Sequence, residues 1–519
     1  MINVRSLLAA LVVVLLTSCA SLPPQVGRAP THALTDTETT RLGAAFTPRE
    51  QQHPDDSAFH LLPDSVDALV ARMVLIEYAD RSLDLQYYIW HNDLTGHALA
   101  AALLRAADRG VRVRVLLDDL GASADDQLLL ALSSHPNMEI RIFNPVANRR
   151  FKFFGIATEF SRVNRRMHNK ALIADNQGAI LGGRNMGDEY FGAESSVTFG
   201  DLDVLVHGPI VRKVSTAFDE YWNSSASYPI ETLLGHQADP SALASLRAKR
   251  EAWFESQENT AYVQQLRARL TQAIHSRDAE FSWGKATLLY DDPSKITRAP
   301  SDAEGNLISQ LRALNLQPTQ HMLVVSPYFV PGKRGVAWLS GLTQHGVHVT
   351  VLTNSLAATD VTAVHAGYRR YRKALLEAGV ELYELKPGAT ASGTDEKKKS
   401  VFGSSKASLH AKTYVFDRKS IFIGSMNLDP RSVELNTEIG VYCESQSAAQ
   451  QVTDRVESNL NRIAWRLELR TDPNGTSHIV WVETAADGTV TVSDSEPEVS
   501  ALRNIGIWFL GILPIESQL

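Results

Sequence analysis

The chain has 519 residues, 44% of them hydrophobic and 21% charged, so it is long enough for two to four globular domains. The formal net charge of −7 disfavours a general nucleic-acid-binding protein, because such proteins usually carry a large positive excess. Only two cysteines are present, Cys19 and Cys443. We therefore expect neither a disulfide framework nor a cysteine-based metal site.

The N-terminus has the pattern of a secretory signal. Arg5 precedes the apolar run 7–16, which is shorter than the roughly 20 residues of a spanning helix. The run ends in Leu-Thr-Ser-Cys, which resembles the processing site of bacterial lipoproteins. That resemblance implies a signal peptide over 1–18 and lipid on Cys19, with an ordinary signal peptide or an uncleaved anchor as the alternative. Residues 19–58, rich in Pro, Thr and Asp, are then predicted to be a tether.

Two copies of one strand and helix pattern follow in chain order. The first copy has an apolar run, a helical pattern and two further strand patterns at 83–90, 96–109, 110–122 and 138–145. The second copy has the same succession at 322–330, 334–345, 346–358 and 380–387. This succession predicts an α/β fold in which helices cover a mostly parallel sheet in each copy.

Domain boundaries follow from the duplication. We predict a first domain over 59–225, a helical connection over 226–285 and a second domain over 286–465. A C-terminal segment, 466–519, contains short strand patterns and an apolar end at 505–513. That apolar end is too short to span a bilayer, and it either inserts at a membrane interface or docks on the core.

The same polar set occurs twice, in "MHNKALIADNQGAILGGRN" (167–185) and in "LHAKTYVFDRKSIFIGSMN" (409–427). Each stretch is predicted to form a hairpin closed by a four-residue turn. The first hairpin would then pair His168 with Asn185 and Lys170 with Gly183. The second would pair His410 with Asn427 and Lys412 with Ser425. Because alternate residues of a strand share a face, His, Lys and Asn of each copy would gather together.

These residue types suit phosphoryl chemistry. Imidazole supplies a nucleophile or a proton carrier near neutral pH, and Lys and Asn donate hydrogen bonds to phosphoryl oxygens. Glycines near the motif permit close backbone approach. Asp175 and Asp417 fall at the turns, where a carboxylate is expected to hold backbone N–H groups. Two such halves facing each other would surround one phosphate.

The doubled His-x-Lys-x4-Asp pattern resembles the phospholipase D superfamily. The resemblance implies two α/β sandwich domains in a pseudo-twofold arrangement, one active site at their interface, and neither a metal nor another cofactor. It also implies a covalent phosphohistidine, with His168 as nucleophile and His410 as general acid and then base. The residues that match the motif are His168, Lys170, Asp175, His410, Lys412 and Asp417.

Each imidazole needs an acidic partner on its other nitrogen. The superfamily pattern places these acids across the interface. Glu438 would therefore orient His168, and Asp203 would orient His410, with Asp201 as the nearby competitor.

Several further stretches, including "LDLQYYIWHND" and "TNSLAATDVTAVHAGYRRYRK", resemble the C type of bacterial cardiolipin synthases. This resemblance implies phosphatidyl transfer between phospholipids, and it places four residues near the pocket: Tyr87, Tyr88, Tyr328 and His365. A secreted phospholipase D that uses water as acceptor is the alternative, and a nuclease is the third. One chain carries both motifs, so a monomer would suffice, and the sequence leaves open whether an accessory protein takes part.

Membrane contact has two further indications. Residues 146–170 carry seven Lys or Arg against one Glu, interleaved with four phenylalanines, a composition that suits an anionic lipid surface. A solvated loop with packed phenylalanines is the alternative. By the usual sorting pattern of lipoproteins, Ala20 after the lipidated cysteine favours the periplasmic side of the outer membrane of a Gram-negative bacterium over the inner membrane.

Overall fold

The structure is a computed structural model of the chain. It describes residues 21–25, 28–121, 125–193, 197–275, 280–300, 302–387, 406–485 and 487–500, together with Ile507 and Gln518. The signal, Cys19 and nearly all of 505–513 lie outside the described residues. Where the structure describes the chain, no helix combines the length and the apolar character needed to cross a bilayer.

The first half consists of a nine-strand set with helices between the strands. Its strands are β1 Ser57–Leu62, β2 Ser82–Tyr87, β3 Arg112–Asp118, β4 Met138–Phe143, β5 Ala171–Ala174, β6 Gly178–Gly182, β7 Val197–Gly200, β8 Asp203–His207 and β9 Ser227–Pro229. Its helices are α1 Arg41–Glu50, α2 Ser65–Tyr78, α3 Leu94–Asp108, α4 Asp126–Ser133, α5 Lys152–Thr158, α6 Phe160–Val163, α7 Asp188–Phe191 and α8 Pro209–Asn223. Three helices connect the halves: α9 Ile230–Leu234, α10 Ala242–Gln257 and α11 Ala261–His275.

The second half repeats the plan. Its strands are β10 Ser282–Tyr290, β11 His321–Val325, β12 His348–Asn354, β13 Glu381–Leu385, β14 Lys406–Leu409, β15 Lys412–Phe416, β16 Ser420–Gly424, β17 Ile439–Glu444, β18 Ala464–Thr471, β19 Ser477–Thr484 and β20 Val490–Ser493. Its helices are α12 Leu307–Ala313, α13 Gly332–Gln344, α14 Thr362–Arg369, α15 Arg372–Glu377, α16 Pro430–Glu434, α17 Gln446–Glu457 and α18 Leu460–Ile463, with a 3₁₀ turn at Pro293–Ile296.

The two sheets have matching strand orders. The first runs β9-β4-β3-β2-β5-β6-β8-β1, and the second runs β18-β13-β12-β11-β15-β16-β17-β10. β2, β3 and β4 are parallel, as are β11, β12 and β13, because a crossover helix separates each pair. The predicted pair of α/β domains in a pseudo-twofold arrangement is therefore confirmed.

The same local signals end the equivalent helices of both halves. Gly110 follows α3 with φ of 94°, and Gly346 follows α13 with φ of 83°. Glycine is favoured there because a left-handed residue closes the helix C-terminus at little steric cost. Some helix starts are capped by carboxylates, as at α2, where Asp64 accepts the N–H groups of Val66 and Asp67 at 3.0 Å.

The halves join at strands and in a shared core. β1 pairs with β10, and β7 pairs in parallel with β14, so each half contributes strands to the other. One buried apolar cluster includes Leu181 and Val204 of the first half and Ile423 and Val441 of the second. Cys443 lies in the same cluster on β17. The interface is therefore a packed core, and it holds the facing edges of both sheets in register.

The hairpin register differs by one residue from the prediction in both copies. Ala174 faces Gly178 and Phe416 faces Ser420, so each turn has three residues rather than four. Lys412 therefore faces Gly424 and not Ser425. The first two turn residues are left-handed in both copies, with φ of 53° at Asp175 and 51° at Asp417. Asp and Asn tolerate this conformation better than most residues, which permits the shorter turn.

Part of the segment predicted as a tether packs against the first half, which corrects that prediction over residues 28–50. Arg28 donates hydrogen bonds to the carbonyl oxygens of Ser224 and Ser227, at 3.0 and 2.6 Å. α1 follows, and Arg41 pairs with Asp80 at 2.8 Å. The partners lie far away in sequence, so composition alone could not indicate them.

Candidate active site

Each histidine of the doubled motif is bound through its backbone to the opposite half. The N–H of His168 donates to the carbonyl of Thr437 at 2.9 Å, and the N–H of His410 donates to the carbonyl of Gly200 at 2.8 Å. Both histidines precede the central strands β5 and β15, and both are buried. The two motifs therefore lie together, in one site between the halves.

An acid of the opposite half holds each imidazole. His168 Nδ1 lies 2.8 Å from Glu438 Oε2, and His410 Nδ1 lies 2.6 Å from Asp201 Oδ2. Both carboxylates are fully buried at the side chain. A carboxylate on Nδ1 fixes the ring orientation and directs Nε2 toward the reacting group.

The partner of His410 is Asp201 and not Asp203, which corrects the sequence prediction. Asp203 is fully buried and pairs with Arg72 at 2.8 Å and with Arg184 at 3.3 Å. The strand register gives the reason. Leu181 faces Val204 just as Ile423 faces Val441, so Glu438 corresponds to Asp201. Asp203 therefore anchors two buried guanidinium groups beside the site.

This correspondence was hidden in the sequence by a difference in loop length. Asp201 follows Gly183 by 18 residues, whereas Glu438 follows Ser425 by 13. Matching the apolar strand sequences "LDVLV" (202–206) and "IGVYC" (439–443) would have placed Asp201 at the position equivalent to Glu438.

Gly183 and Ser425 support the two acids. Ser425 Oγ donates to Glu438 Oε2 at 2.5 Å and accepts the N–H of Ile439 at 3.0 Å. At Gly183 an added Cβ would lie 2.1 Å from Asp201 Oδ1, so no larger residue fits without moving the carboxylate. Asp291 further fixes Glu438, because it accepts the Glu438 N–H at 2.9 Å and pairs with Lys295 at 3.0 Å. Sequence reasoning missed Asp291.

The motif lysines lie inside the site. Lys170 Nζ donates to the carbonyl of its own His168 at 2.6 Å, and Lys412 Nζ donates to that of His410 at 2.5 Å. Burial lowers the pKa of Lys170 well below its ordinary value and lowers the pKa of Lys412 to about 8. Among the described residues neither lysine forms an ion pair, and each Nζ keeps further N–H groups for an anionic ligand such as a phosphodiester.

The two imidazole–carboxylate pairs differ electrostatically. Burial lowers the pKa of His168 well below 6.5, and the ammonium groups of Lys170 and Lys412 act in the same direction. Burial also raises the pKa of Glu438 to about 7. Burial acts to raise the pKa of Asp201 too, but the positive charges of His410 and Lys412 outweigh it and lower that pKa to about 2. Burial and the Lys412 charge also lower the pKa of His410 below 6.5, but the Asp201 anion opposes that change. The His168 pair therefore favours the uncharged imidazole, whereas His410, with a carboxylate that stays ionised, is the better placed of the two to carry a proton.

Asp175 and Asp417 lie outside the reacting centre. Asp175 accepts the backbone N–H groups of 80–82 at 2.7–2.9 Å, and Asp417 accepts those of 319–321 at 2.8–3.0 Å. Asp175 thus ties its hairpin to the chain that enters β2, and Asp417 ties its hairpin to the chain that enters β11. This confirms the expectation that they hold backbone amides, and it removes them from the set of reacting residues.

The asparagines at the motif ends have different environments. Asn185 Oδ1 accepts the N–H of Ile89 at 3.2 Å, and its Nδ2 donates to the Tyr190 hydroxyl at 2.9 Å. Asn427 is buried, and its Oδ1 has no hydrogen-bond partner among the described residues. Asn185 therefore links the residues around Ile89 and Tyr190, whereas Oδ1 of Asn427 can still accept a hydrogen bond from a ligand.

Aromatic rings flank both histidines. Tyr88 meets His168 edge-on with ring centroids 5.1 Å apart, and Tyr190 meets His410 at 5.2 Å. The Tyr328 hydroxyl donates to Asp360 at 2.8 Å, and burial, together with the Asp360 charge, raises the pKa of Tyr328. Sequence reasoning missed Tyr190, whose place in "GDEYF" just after the motif was the available signal.

Two residues predicted near the pocket lie elsewhere. Tyr87 is fully buried and accepts a hydrogen bond from Arg72 Nε at 3.3 Å, beside Asp203. His365 is buried 3.5 Å from Glu496 and contacts the ring of Tyr368. Both side chains therefore belong to buried polar networks that do not include a motif histidine.

Among the described residues, one group has ligand atoms close enough to hold a metal ion: His91, Asp93 and Glu189, with atoms within 4.8 Å of one another. His91 already pairs with Glu189 at 3.2 Å, and Asp93 caps α3. None of the three belongs to the doubled motif.

The fold and the paired motifs define a two-lobed protein of the phospholipase D type. The family description "Cardiolipin synthase, PLD-like domain" matches residues 73–222 and 312–460, and the chain belongs to this family.

The chain is 40% identical over 481 residues to cardiolipin synthase C of Escherichia coli K12, covering 92% of this chain and 99% of that protein. It is 27% identical to cardiolipin synthase A of Pseudomonas entomophila L48, covering 78% of this chain and 68% of that protein. In fold it resembles the crystal structure of phosphatidylserine synthase from Haemophilus influenzae Rd KW20. That match has a TM-score of 0.55 at 15% identity and covers 92% of this chain and all of the other. The chain is thus homologous to cardiolipin synthases over nearly its full length.

Proposed function

We propose that this protein is a phosphatidyltransferase that makes cardiolipin from phosphatidylglycerol and a second phospholipid, either phosphatidylglycerol or phosphatidylethanolamine. The observation that carries the proposal is the pair of imidazoles in one buried site, each held by a carboxylate of the opposite half. The homology to cardiolipin synthase C supports the choice of lipid substrates.

In the first step, Nε2 of His168 attacks phosphorus of the donor phosphodiester. A phosphorus–nitrogen bond forms, the bond to the leaving alcohol breaks, and the protonated His410 gives its proton to the leaving oxygen. In the second step, neutral His410 takes the proton of the acceptor hydroxyl, whose oxygen attacks phosphorus and releases His168. The low pKa of His168 and the anionic Asp201 beside His410 support this division of roles.

Water competes with the lipid hydroxyl in the second step, and its success would make the protein a phospholipase D. The experiment is lipid mass spectrometry on the purified protein in phosphatidylglycerol vesicles, with and without phosphatidylethanolamine. We expect cardiolipin with released glycerol or ethanolamine from the wild type, and none from His168→Ala. His478→Ala is the matched control, because His478 lies on β19 and is partly exposed. Phosphatidic acid alone would show hydrolysis, and equal turnover by His168→Ala would refute the site.

A membrane surface is the proposed partner, and exposed aromatic side chains support it better than positive charge does. The positive charges of 146–170 are largely paired within the chain: Arg149 and Lys152 with Asp119 and Asp126, and Arg166 with Asp118. What this stretch offers to a lipid surface is apolar. Phe151, Phe153 and Phe160 are 51%, 78% and 55% exposed around the short helices α5 and α6. Exposed aromatic side chains at this density suit insertion among lipid headgroups.

Lipidation of Cys19 and placement on the periplasmic side of the outer membrane complete the proposal. Its support is the Leu-Thr-Ser-Cys sequence after the apolar run. Mass spectrometry of the full-length protein from a Gram-negative host should show loss of residues 1–18 and added acyl chains, and Cys19→Ser should abolish both. An unmodified, uncleaved N-terminus would refute this part alone. Because one chain carries the complete site, a monomer suffices for the chemistry that we propose.

A further inference from the structure

Three carboxylates lie within electrostatic reach of Tyr190, the aromatic residue that meets the ring of His410. Burial raises the pKa of the Tyr190 hydroxyl well above its ordinary value, and three charges act in the same direction, those of Glu189, Asp201 and Asp360. Two of these acids are already paired, because Glu189 lies 3.2 Å from His91 and Asp201 lies 2.6 Å from His410. Asp360 forms no ion pair with any residue that the structure describes, so its charge is available to a cationic ligand.

The loop that carries Asp360 begins beside His410. Asn354, at the end of β12, exchanges two hydrogen bonds with the backbone of Leu409, at 3.0 and 2.8 Å. Leu409 immediately precedes His410 in the chain. The loop 355–361 therefore starts at the second motif, and Asp360 lies near its end.

The side chain of Asp360 is fixed by a tyrosine and faces solvent. Both of its oxygens lie at hydrogen-bond distance from the Tyr328 hydroxyl, at 3.0 and 2.8 Å, and the residue is exposed. Burial lowers the pKa of Lys412 to about 8, and Asp360 is one of four carboxylates whose charge opposes that change. Asp360 is thus close enough to act on the site electrostatically, yet a ligand can reach it from outside.

The position beside His410 matters because His410 protonates the leaving oxygen in the proposed reaction. When the donor is phosphatidylethanolamine, the leaving group is ethanolamine, whose ammonium is separated from that oxygen by two carbon atoms. A carboxylate and the faces of tyrosine rings both attract such a cation. The glycerol headgroup of phosphatidylglycerol is uncharged and gains no comparable attraction.

We propose that Asp360 is a specificity-determining residue for the donor lipid and binds the ammonium of phosphatidylethanolamine, together with the rings of Tyr190 and Tyr328. This inference rests on the proposed function, because it assigns the headgroup contact of that same site. A phosphorus–nitrogen bond to His168 forms while the bond to the ethanolamine oxygen breaks, and that oxygen takes the proton of His410. Ethanolamine then leaves from the side of Asp360.

The test is a competition between two donors in one vesicle. The full-length protein is given vesicles with equal amounts of phosphatidylglycerol and phosphatidylethanolamine, and released ethanolamine and glycerol are measured in the same sample. Their ratio reports the relative kcat/KM of the two donors, and the fraction of folded protein cancels from it.

Three variants are compared with the wild type. Asp360→Asn removes the charge at nearly constant size, and Tyr328→Phe removes the hydroxyl that holds the carboxylate but keeps the ring. Asp494→Asn is the matched control. It removes the same charge from a residue that is 83% exposed just after β20, at the outer edge of the second sheet.

Asp360→Asn should lower the ratio of ethanolamine to glycerol about fivefold, the size expected of an ion pair at a partly open site. Tyr328→Phe should lower it about twofold, because the ring still attracts the ammonium while the carboxylate is held less firmly. Asp494→Asn should leave the ratio unchanged. If Asp360 only stabilised its loop, Asp360→Asn would lower both products together, and an unchanged ratio would overturn the proposal.

Two further results would overturn it: an equal fall of the ratio in Asp360→Asn and Asp494→Asn, or a wild type that releases no ethanolamine. The proposed function fails in a different way. A wild type that forms phosphatidic acid without cardiolipin would refute transfer, while the ratio of released headgroups would still test Asp360. A wild type that forms cardiolipin and releases glycerol alone would refute the ammonium site and leave transfer standing.

Discussion

Replacing Asp201 and Asp203 separately by asparagine tests whether Asp201 supports catalysis while Asp203 stabilises the fold. The positive charges of His410, Lys412 and Arg184 outweigh burial and lower the pKa of Asp201 to about 2, so this carboxylate is ionised beside His410. Asp201→Asn removes that negative charge, so imidazolium at His410 becomes less favourable. We expect kcat to fall at least hundredfold, and by up to about 10⁴-fold if the ring orientation is lost as well.

Asp203→Asn should have the opposite profile. It leaves Arg72 and Arg184 buried with a neutral partner, and breaking a buried ion pair costs about 3–5 kcal/mol of unfolding free energy. The melting temperature should therefore fall clearly, while kcat of the folded protein stays near that of the wild type.

The assay is initial-rate cardiolipin formation in phosphatidylglycerol vesicles, with a thermal denaturation curve for each variant. The reasoning fails if Asp201→Asn keeps its kcat, or if Asp203→Asn loses kcat without losing stability.

Three further predictions follow from the same contacts. First, the pH profile of kcat/KM should rise near pH 7, because burial raises the pKa of Glu438 and its anion must hold His168. It should fall near pH 8, because burial lowers the pKa of Lys412 and its cation must bind phosphate. Glu438→Gln should remove the rising limb, and a flat wild-type profile would contradict the assignment. Second, Asp175→Asn should lower the free energy of unfolding by about 1.5–3 kcal/mol in a denaturant titration, because the buried side chain loses charge-assisted hydrogen bonds to three backbone N–H groups. Unchanged stability with lost activity would instead make Asp175 a reacting residue. Third, replacing Phe151, Phe153 and Phe160 by serine should reduce the amount of protein that floats with vesicles. Val490→Ser, which changes an exposed apolar residue on β20, should not reduce it, and equal flotation of the two variants would place membrane contact elsewhere.

The doubled motif made the two-lobed fold and the shared site predictable. Equal spacing from Pro145 to His168 and from Pro387 to His410 showed the repeat, and the repeated polar residues implied a common ligand. Local chemistry was therefore enough to place both histidines, both lysines and Glu438 in one site.

The finer geometry depended on features that single residues do not encode. The hairpin register was wrong by one residue because Asp175 and Asn176 both adopt left-handed conformations, which closes the turn with three residues. The predicted partner of His410 was wrong because Asp201 and Asp203 lie two positions apart in sequence, and only the pairing of β8 with β6 shows which of them corresponds to Glu438. The basic character of 146–170 was misleading because its counterions, Asp119 and Asp126, come from a distant segment.

The central claim is that one site built from both halves forms a covalent intermediate on His168. The most direct measurement is to map the acid-sensitive phosphohistidine: the wild-type protein is mixed with phosphatidylglycerol, quenched during turnover under mildly alkaline conditions and digested, and its peptides are weighed. The account predicts a phosphatidyl mass on the peptide that contains His168, absent from His168→Ala. A phosphatidyl adduct on the His410 peptide of the wild type, or continued cardiolipin formation by His168→Ala, would contradict it.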